Sequence, residues 1–371
     1  MGKFIKNGII VLVCAGALVV SLNSILDLGL FWNPPEARYL PEAEAQRRPV
    51  YQMLDDDEKT VYEAVLRGIN EYEDTIELPV EITGDDYAKI YCILEKQEGS
   101  VFCRGSSYFV SDKMREANMI YRSDRSTFAE RAKELQDVKV KVLKGIPDTD
   151  DEYEKVRYIH NYITENCSYI TGVDDSYNST AYGCLVEKEA NCEGYSKAFN
   201  MLAAEAGLKS VVVIGKTDKD ENHAWNQVMV NGEWYNIDVT WDDGDDENDP
   251  RMLYFLCADD TFGKTHFPAD NNFTPFVCST LKDNYYVRCG ALAENEEQAV
   301  EMVRQRLREG SDEVEILFRN EADYDSFKTR YVDNEEIFRV YIEEKEDVRG
   351  KISASYTDNR CEKYIKIIFS R

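Results

Sequence analysis

Cys192, His223 and Asp238 are the side chains of this sequence best suited to covalent chemistry. A cysteine nucleophile needs a base to take its proton and a third group to hold that base in one tautomer. Cys192 sits in the run Asn191-Cys192-Glu193-Gly194-Tyr195-Ser196-Lys197-Ala198-Phe199, whose apolar face continues through Leu202, Ala203 and Ala206 and stops at Gly207. That pattern predicts a helix with the thiol in its first turn. The unpaired amides and dipole at that end favour an anion, and therefore the thiolate. With His223 as base and Asp238 orienting it, the thiolate would attack an amide or ester carbonyl and form a thioester acyl-enzyme. The backbone amide of Cys192 would be one of the oxyanion donors.

The elements that must bring these groups together are legible in the same stretch. Asn231-Gly232 separates two β-prone runs, His223 to Val230 and Glu233 to Trp241, and is a strong two-residue hairpin signal. Pairing Val230 with Glu233 sets His223 opposite Thr240 and Trp225 opposite Asp238. His223 and Asp238 then become diagonal neighbours on one face, about 7–8 Å apart at the backbone and within reach of each other's side chains. Upstream, Thr149 and Glu152 have capping-box spacing, and Val156, Ile159, Ile163 and Cys167 mark the buried stripe of a further helix.

The chain has only three histidines, so the choice of base is narrow. His160 falls on the apolar stripe of its helix and reads as a core residue satisfied by hydrogen bonds. His266, in Lys264-Thr265-His266-Phe267-Pro268, has no acidic residue at a useful spacing and reads as structural. No CxxC or HExxH spacing occurs, so neither a metal nor any other cofactor is expected. The run Asp242-Asp243-Gly244-Asp245-Asp246-Glu247-Asn248-Asp249 lacks the spacing of an EF-hand loop and reads as a solvated acidic loop. Trp225, on the strand with His223, is a candidate substrate-binding residue, set against the ordinary fate of strand aromatics, which is the core.

Cys192-Glu193-Gly194-Tyr195 with its helix, His223-Ala224-Trp225-Asn226, and Trp234-Tyr235-Asn236-Ile237-Asp238-Val239-Thr240-Trp241-Asp242 resemble the three motifs of bacterial transglutaminase-like proteins, in the same order. The resemblance covers about residues 150 to 276. It implies an α+β, papain-like core in which a thiol helix packs on an antiparallel sheet, with Cys192, His223 and Asp238 in the catalytic roles assigned above. That superfamily includes crosslinkers, peptidases, amidases and inactive members, so the fold alone leaves the reaction open. The expected function is an enzyme acting on peptide or protein amides, by hydrolysis or by acyl transfer to an amine. The alternative is a non-catalytic cell-surface binding module on the same core.

Around this core the periodicity predicts two small flanking domains. Residues 35–145 read as an α+β unit: a helix carrying Tyr62, Val65, Leu66 and Ile69, a strand over 75–82, a helix over 85–95, a strand pair between 101 and 122, and a charged helix over 126–143. Residues 146–276 form the catalytic unit. Residues 277–371 read as an α/β unit, with a helix over 294–308, an alternating strand at Val314, Ile316 and Phe318, and terminal strands around Ile352 and Ile365.

Lys3 and Lys6 precede an unbroken small and apolar run, Gly8 to Val20, the pattern of an export signal. No convincing cleavage site follows, which favours an uncleaved membrane anchor before Pro34-Pro35 and an extracytoplasmic location, with secretion after cleavage as the other reading. A peptide or protein of the cell envelope is the expected partner. With 44 Lys and Arg against 71 Asp and Glu, the net charge of -27 disfavours nucleic acid. Of ten cysteines, Cys14 lies in the leader and Cys192 must stay a thiol; the other eight are open to pairing, Cys92 with Cys103 for instance, or to life as buried thiols.

Overall fold

The computed structural model describes residues 32–107, 113–171, 177–244, 252–345 and 350–370, apart from the side chains of residues 103 and 104. The export segment lies outside the described residues. Among them, no helix is long and apolar enough to cross a membrane.

After two short helical turns, Glu42–Ala45 and Pro49–Met53, the N-terminal part runs into α1 (Asp56–Asn70), which starts where Asp55 and Glu58 close a reciprocal capping box. Then come β1 (Thr75–Ile82), α2 (Gly84–Gln97), β2 (Cys103–Ser107), β3 (Met114–Tyr121) and α3 (Arg125–Leu143). The three strands form an antiparallel sheet in the order β1-β3-β2. Its apolar face is covered by α1 through Tyr62, Val65 and Ile69, and α2 joins the same core through Ile90 and Leu94.

The chain continues through α4 (Glu152–Asn166), α5 (Cys192–Glu205), β4 (Ser210–Thr217), β5 (Asn222–Val230), β6 (Glu233–Ile237) and β7 (His266–Pro268). The expected stripe of α4 is buried, but its cap is Asp151, whose side chain accepts the Tyr153 amide; Thr149 accepts the amide of Asp151 instead. The four strands form one antiparallel sheet, β6-β5-β4-β7. Its hairpin has the expected register, from Val230 opposite Glu233 to Asn226 opposite Ile237. Asn231 and Gly232 both take positive φ, 53° and 85°, the conformation a two-residue turn of this type requires.

Both faces of this sheet are covered, which is why β4 reads as an almost unbroken apolar run. Val228, Val230, Tyr235 and Ile237 share a core with Tyr195, Ala198, Phe199 and Leu202 of the thiol helix. Val211, Val213 and Trp225 belong to the core of the N-terminal part. The transverse link is also polar: Lys197, buried on α5, lies 2.6 Å from Glu95 and 2.8 Å from Glu193, while Lys96 reaches Glu193 at 2.7 Å.

The C-terminal part contributes β8 (Leu292–Ala293), α6 (Glu296–Arg308), β9 (Glu313–Phe318), β10 (Ser353–Asn359) and β11 (Tyr364–Ser370). Its sheet runs β8-β9-β11-β10, with β8 and β9 parallel and the other pairs antiparallel. α6 buries Ala299, Val303 and Leu307 against it. The eight cysteines with described side chains are all thiols; the side chain of Cys103, the suggested partner of Cys92, lies outside the described residues.

Candidate active site

Cys192 is the first residue of α5, held there by Asn191, whose side-chain oxygen accepts the amides of Glu193 and Gly194 at 3.1 Å each. Gly194 lets this first turn press against the preceding loop. A Cβ there would stand 2.2 Å from the carbonyl oxygen of Asn178 and 2.8 Å from the Cβ of Ala190. The helix is further tied to the sheet by Asn226, which donates to the Ser196 carbonyl at 3.0 Å.

His223 lies near the start of β5, and Asp238 follows the last residue of β6. The ladder does not run on to Thr240, as the simple hairpin extension predicts. Asp238 instead turns out of the sheet: its Oδ1 accepts the amides of Thr240 at 2.9 Å and Trp241 at 3.2 Å, and its own amide donates to Tyr254. That turn brings Oδ2 to 2.6 Å from His223 Nε2, both residues being buried.

With Nε2 committed to Asp238, Nδ1 is the nitrogen left for the thiol, and Cys192 lies beside this imidazole on the same cleft. Burial disfavours the imidazolium, but the adjacent Asp238 carboxylate and the Cys192 sulfur outweigh it and push His223 up to about 10. Burial likewise disfavours ionised Asp238, yet His223, with His266, holds its carboxyl far below the usual range. A half-buried thiol therefore faces a base that is readily protonated and firmly oriented. Cys192 and His223 open together into a cleft of about 270 Å³, bordered by Tyr169, Thr171, Ile214 and Asn222.

Residues 141–239 match the model of the transglutaminase-like superfamily, a span that contains Cys192, His223 and Asp238. The chain carries a transglutaminase-like domain. The mouse kyphoscoliosis peptidase is 25% identical over 149 residues, or 34% of this chain; the chain spans only 22% of that relative's length. Among solved structures, a TGase is 17% identical with a TM-score of 0.28, covering 39% of this chain and 45% of its own. A putative cysteine protease from Cytophaga hutchinsonii is 15% identical with a TM-score of 0.25, covering 37% and 61%.

The transglutaminase-like domain departs from the sequence reading at several side chains. His266, expected to lack an acidic partner, sits on β7 with its Nε2 3.1 Å from Asp238 Oδ2, so all three members of this cluster are buried together. It lies beyond the matched span and 28 positions from Asp238, a separation at which no local spacing can signal the contact. One ligand-type atom from each of His223, Asp238 and His266 lies within 4.8 Å of the others. The two imidazole hydrogen bonds account for that closeness.

Trp225 is 2% exposed and packs on His266 and Phe262, with ring centroids 5.1 and 5.9 Å away, so it lies under the site and offers a substrate no surface. Trp241, half-buried with its ring centroid 5.3 Å from that of His223, is the tryptophan nearest the base. His160 is the expected buried and satisfied core histidine, with Nε2 3.0 Å from Asp242 Oδ2. Asp242 is thus no part of a solvated loop. It is fully buried, also accepts the Tyr254 amide, and anchors the turn beginning at Asp238; neighbouring Asp243 accepts the Tyr195 hydroxyl. The rest of the acidic run, from residue 245, lies outside the described residues.

Proposed function

We propose that this chain is an extracytoplasmic cysteine enzyme acting on peptide or protein amides, with Cys192 as nucleophile, His223 as base and acid, and Asp238 orienting His223. The observation that carries this reading is the 2.6 Å bond between His223 Nε2 and Asp238 Oδ2, with Cys192 lining the same cleft as that imidazole. His223 Nδ1 holds the Sγ proton while the thiolate attacks the carbonyl carbon. The C–N bond then breaks, that proton leaves with the amine, and the acyl group stays on sulfur as a thioester. Water attacking the thioester gives the acid and regenerates the thiol; an amine gives a new amide. The proposal extends to residues 35–145 and 277–371 as flanking domains of a catalytic unit over 146–276, and to an N-terminal membrane anchor facing a cell-envelope substrate.

Iodoacetamide alkylation of the purified protein, with the modified residue located by peptide mapping, tests the nucleophile. Selective modification of Cys192 at neutral pH, lost in His223→Ala, is the expected result. Alkylation of Cys192 no faster than that of the exposed Cys289 or Cys361 would move the reading to a non-catalytic binding module on the same core.

A further inference from the structure

Asp238 is a carboxylate with four N–H donors and no exposure. Two are backbone amides on Oδ1, those of Thr240 and Trp241. The other two are imidazoles on the same oxygen, Oδ2: His223 at 2.6 Å and His266 at 3.1 Å. The second imidazole is not there by loose packing. Its ring stacks on Phe262, with centroids 3.8 Å apart and 19° between planes, and Trp241 lies 4.4 Å away. Its Nε2 faces a carboxylate, which can only accept, so the ring proton sits there; Nδ1 is 2.9 Å from the Thr265 hydroxyl, nearer than the Phe262 carbonyl that the same hydroxyl reaches at 3.3 Å, and taking that hydroxyl's proton fills the Nδ1 lone pair.

We propose that His266 is a positioning residue of the catalytic triad: by donating to the oxygen that already holds His223, it fixes the Asp238 carboxylate and limits how tightly Asp238 can hold the proton on the base. The inference rests on the triad reading given above. Its physical basis is that hydrogen bonds to a carboxylate compete for one charge, and donors on a single oxygen compete most directly. An Asp238 shared in this way still orients His223, yet leaves the imidazolium more willing to release its proton to a leaving amine than an unshared carboxylate would.

Several other titratable groups face the pair. Asp238 is flanked by Tyr169, Tyr254 and Asp242, and His223 also faces Cys192. None of these is altered by substituting His266, so a shift produced there reports on the shared oxygen.

The chain has only three histidines, which makes titration of each imidazole by NMR tractable on the whole protein. His266→Phe keeps a ring against Phe262 and removes the donor. The expected result is a His223 midpoint raised by about one pH unit, the scale of one hydrogen bond to a charge, and returned toward the parent value in His266→Gln. In the parent protein the 15N shifts of His266 should be those of an Nε2-protonated ring. A folded His266→Phe protein with an unmoved His223 midpoint would overturn the proposal and leave His266 a packing residue. If that variant does not fold, Thr265→Val, which releases Nδ1, decides the matter. An upward shift of smaller size supports the proposal, and no shift overturns it. Because this readout needs no turnover, it is separable from the enzyme reading: an unreactive Cys192 beside a shifted His223 would sink the activity and keep the positioning role.

Discussion

The side-chain amide of Gln97 pairs with the backbone of Val212 as a strand would, Nε2 donating to the carbonyl at 2.9 Å and Oε1 accepting the amide at 2.9 Å. Val212 lies on β4 beyond the point where β7 leaves it, so one edge of the strand needs partners there. Asn271 does the same for Ile214. Replacing Gln97 with Ala should strand a buried donor and acceptor and lower stability by about 1–3 kcal/mol, measured by urea unfolding. An unchanged midpoint would mean the edge is satisfied some other way.

Lys197 is 2% exposed and pinned between Glu95 and Glu193. Burial alone would raise Glu95, but Lys197 and Lys96 outweigh it and hold its carboxyl at about 2 instead of 4.5. A depressed carboxyl contributes stability that is present above pH 4.5 and is lost as pH falls through about 2. Lys197→Met leaves the carboxylates of the thiol helix and α2 to share Lys96 alone, and should cost about 3 kcal/mol at neutral pH. The deficit should narrow steadily below pH 4.5 as Glu95 protonates. Guanidinium unfolding across that range checks it, and a deficit independent of pH would place the loss in packing rather than charge.

Asp238 and His223 give the opposite pH signature. A raised imidazole contributes stability that is complete below its ordinary 6.5 and is lost as pH rises through about 10. Asp238→Asn keeps an oxygen for the Thr240 and Trp241 amides but removes the charge that holds the imidazolium. Its stability deficit should therefore be full below pH 6.5, shrink steadily above it and be nearly gone by about pH 10. Alkylation of Cys192 at neutral pH should slow by about 10²-fold in the same variant, the scale of a misplaced base. A variant alkylated at the parental rate would detach Asp238 from the chemistry.

What was legible in the sequence was whatever repeats locally. The strand Thr75–Ile82 has the expected bounds, and the hairpin register follows from Asn231-Gly232. The helix carrying Cys192 follows from its apolar face and Gly207. His223 and Asp238 were readable because one tight turn places them near each other. His266 and the buried role of Asp242 were not, because each depends on a partner delivered by a distant segment: Asp238 to a strand 28 positions on, and His160 from a helix 82 positions back. The cap at Asp151 in place of Thr149 has another cause. Both residues can cap, and only the path of the chain decides which reaches the first free amides.

Glu362, in the turn joining β10 to β11, is 2% exposed and its Oε1 has no hydrogen-bond partner among the described residues. Burial raises its carboxyl from 4.5 to about 7; Lys363 and Lys264 oppose the shift and do not cancel it, while Asp242 and Asp260 add to it. The folded protein thus binds a proton between those two values that the unfolded chain has released, so stability falls as pH rises through that window. Glu362→Gln removes the titration and keeps the shape. It should match the parent below pH 4.5 and exceed it above pH 7, by about 2–3 kcal/mol at the plateau. Asn359 in the same turn donates to the Tyr254 hydroxyl at 3.3 Å, and Tyr254 packs on Trp241 beside His223. Loosening at alkaline pH should therefore first appear where the C-terminal sheet meets the back of the active site. Hydrogen exchange of the Tyr254 and Asp238 amides at about pH 8, faster in the parent than in Glu362→Gln, is the expected pattern. Equal exchange in both proteins would confine the effect of Glu362 to its own turn.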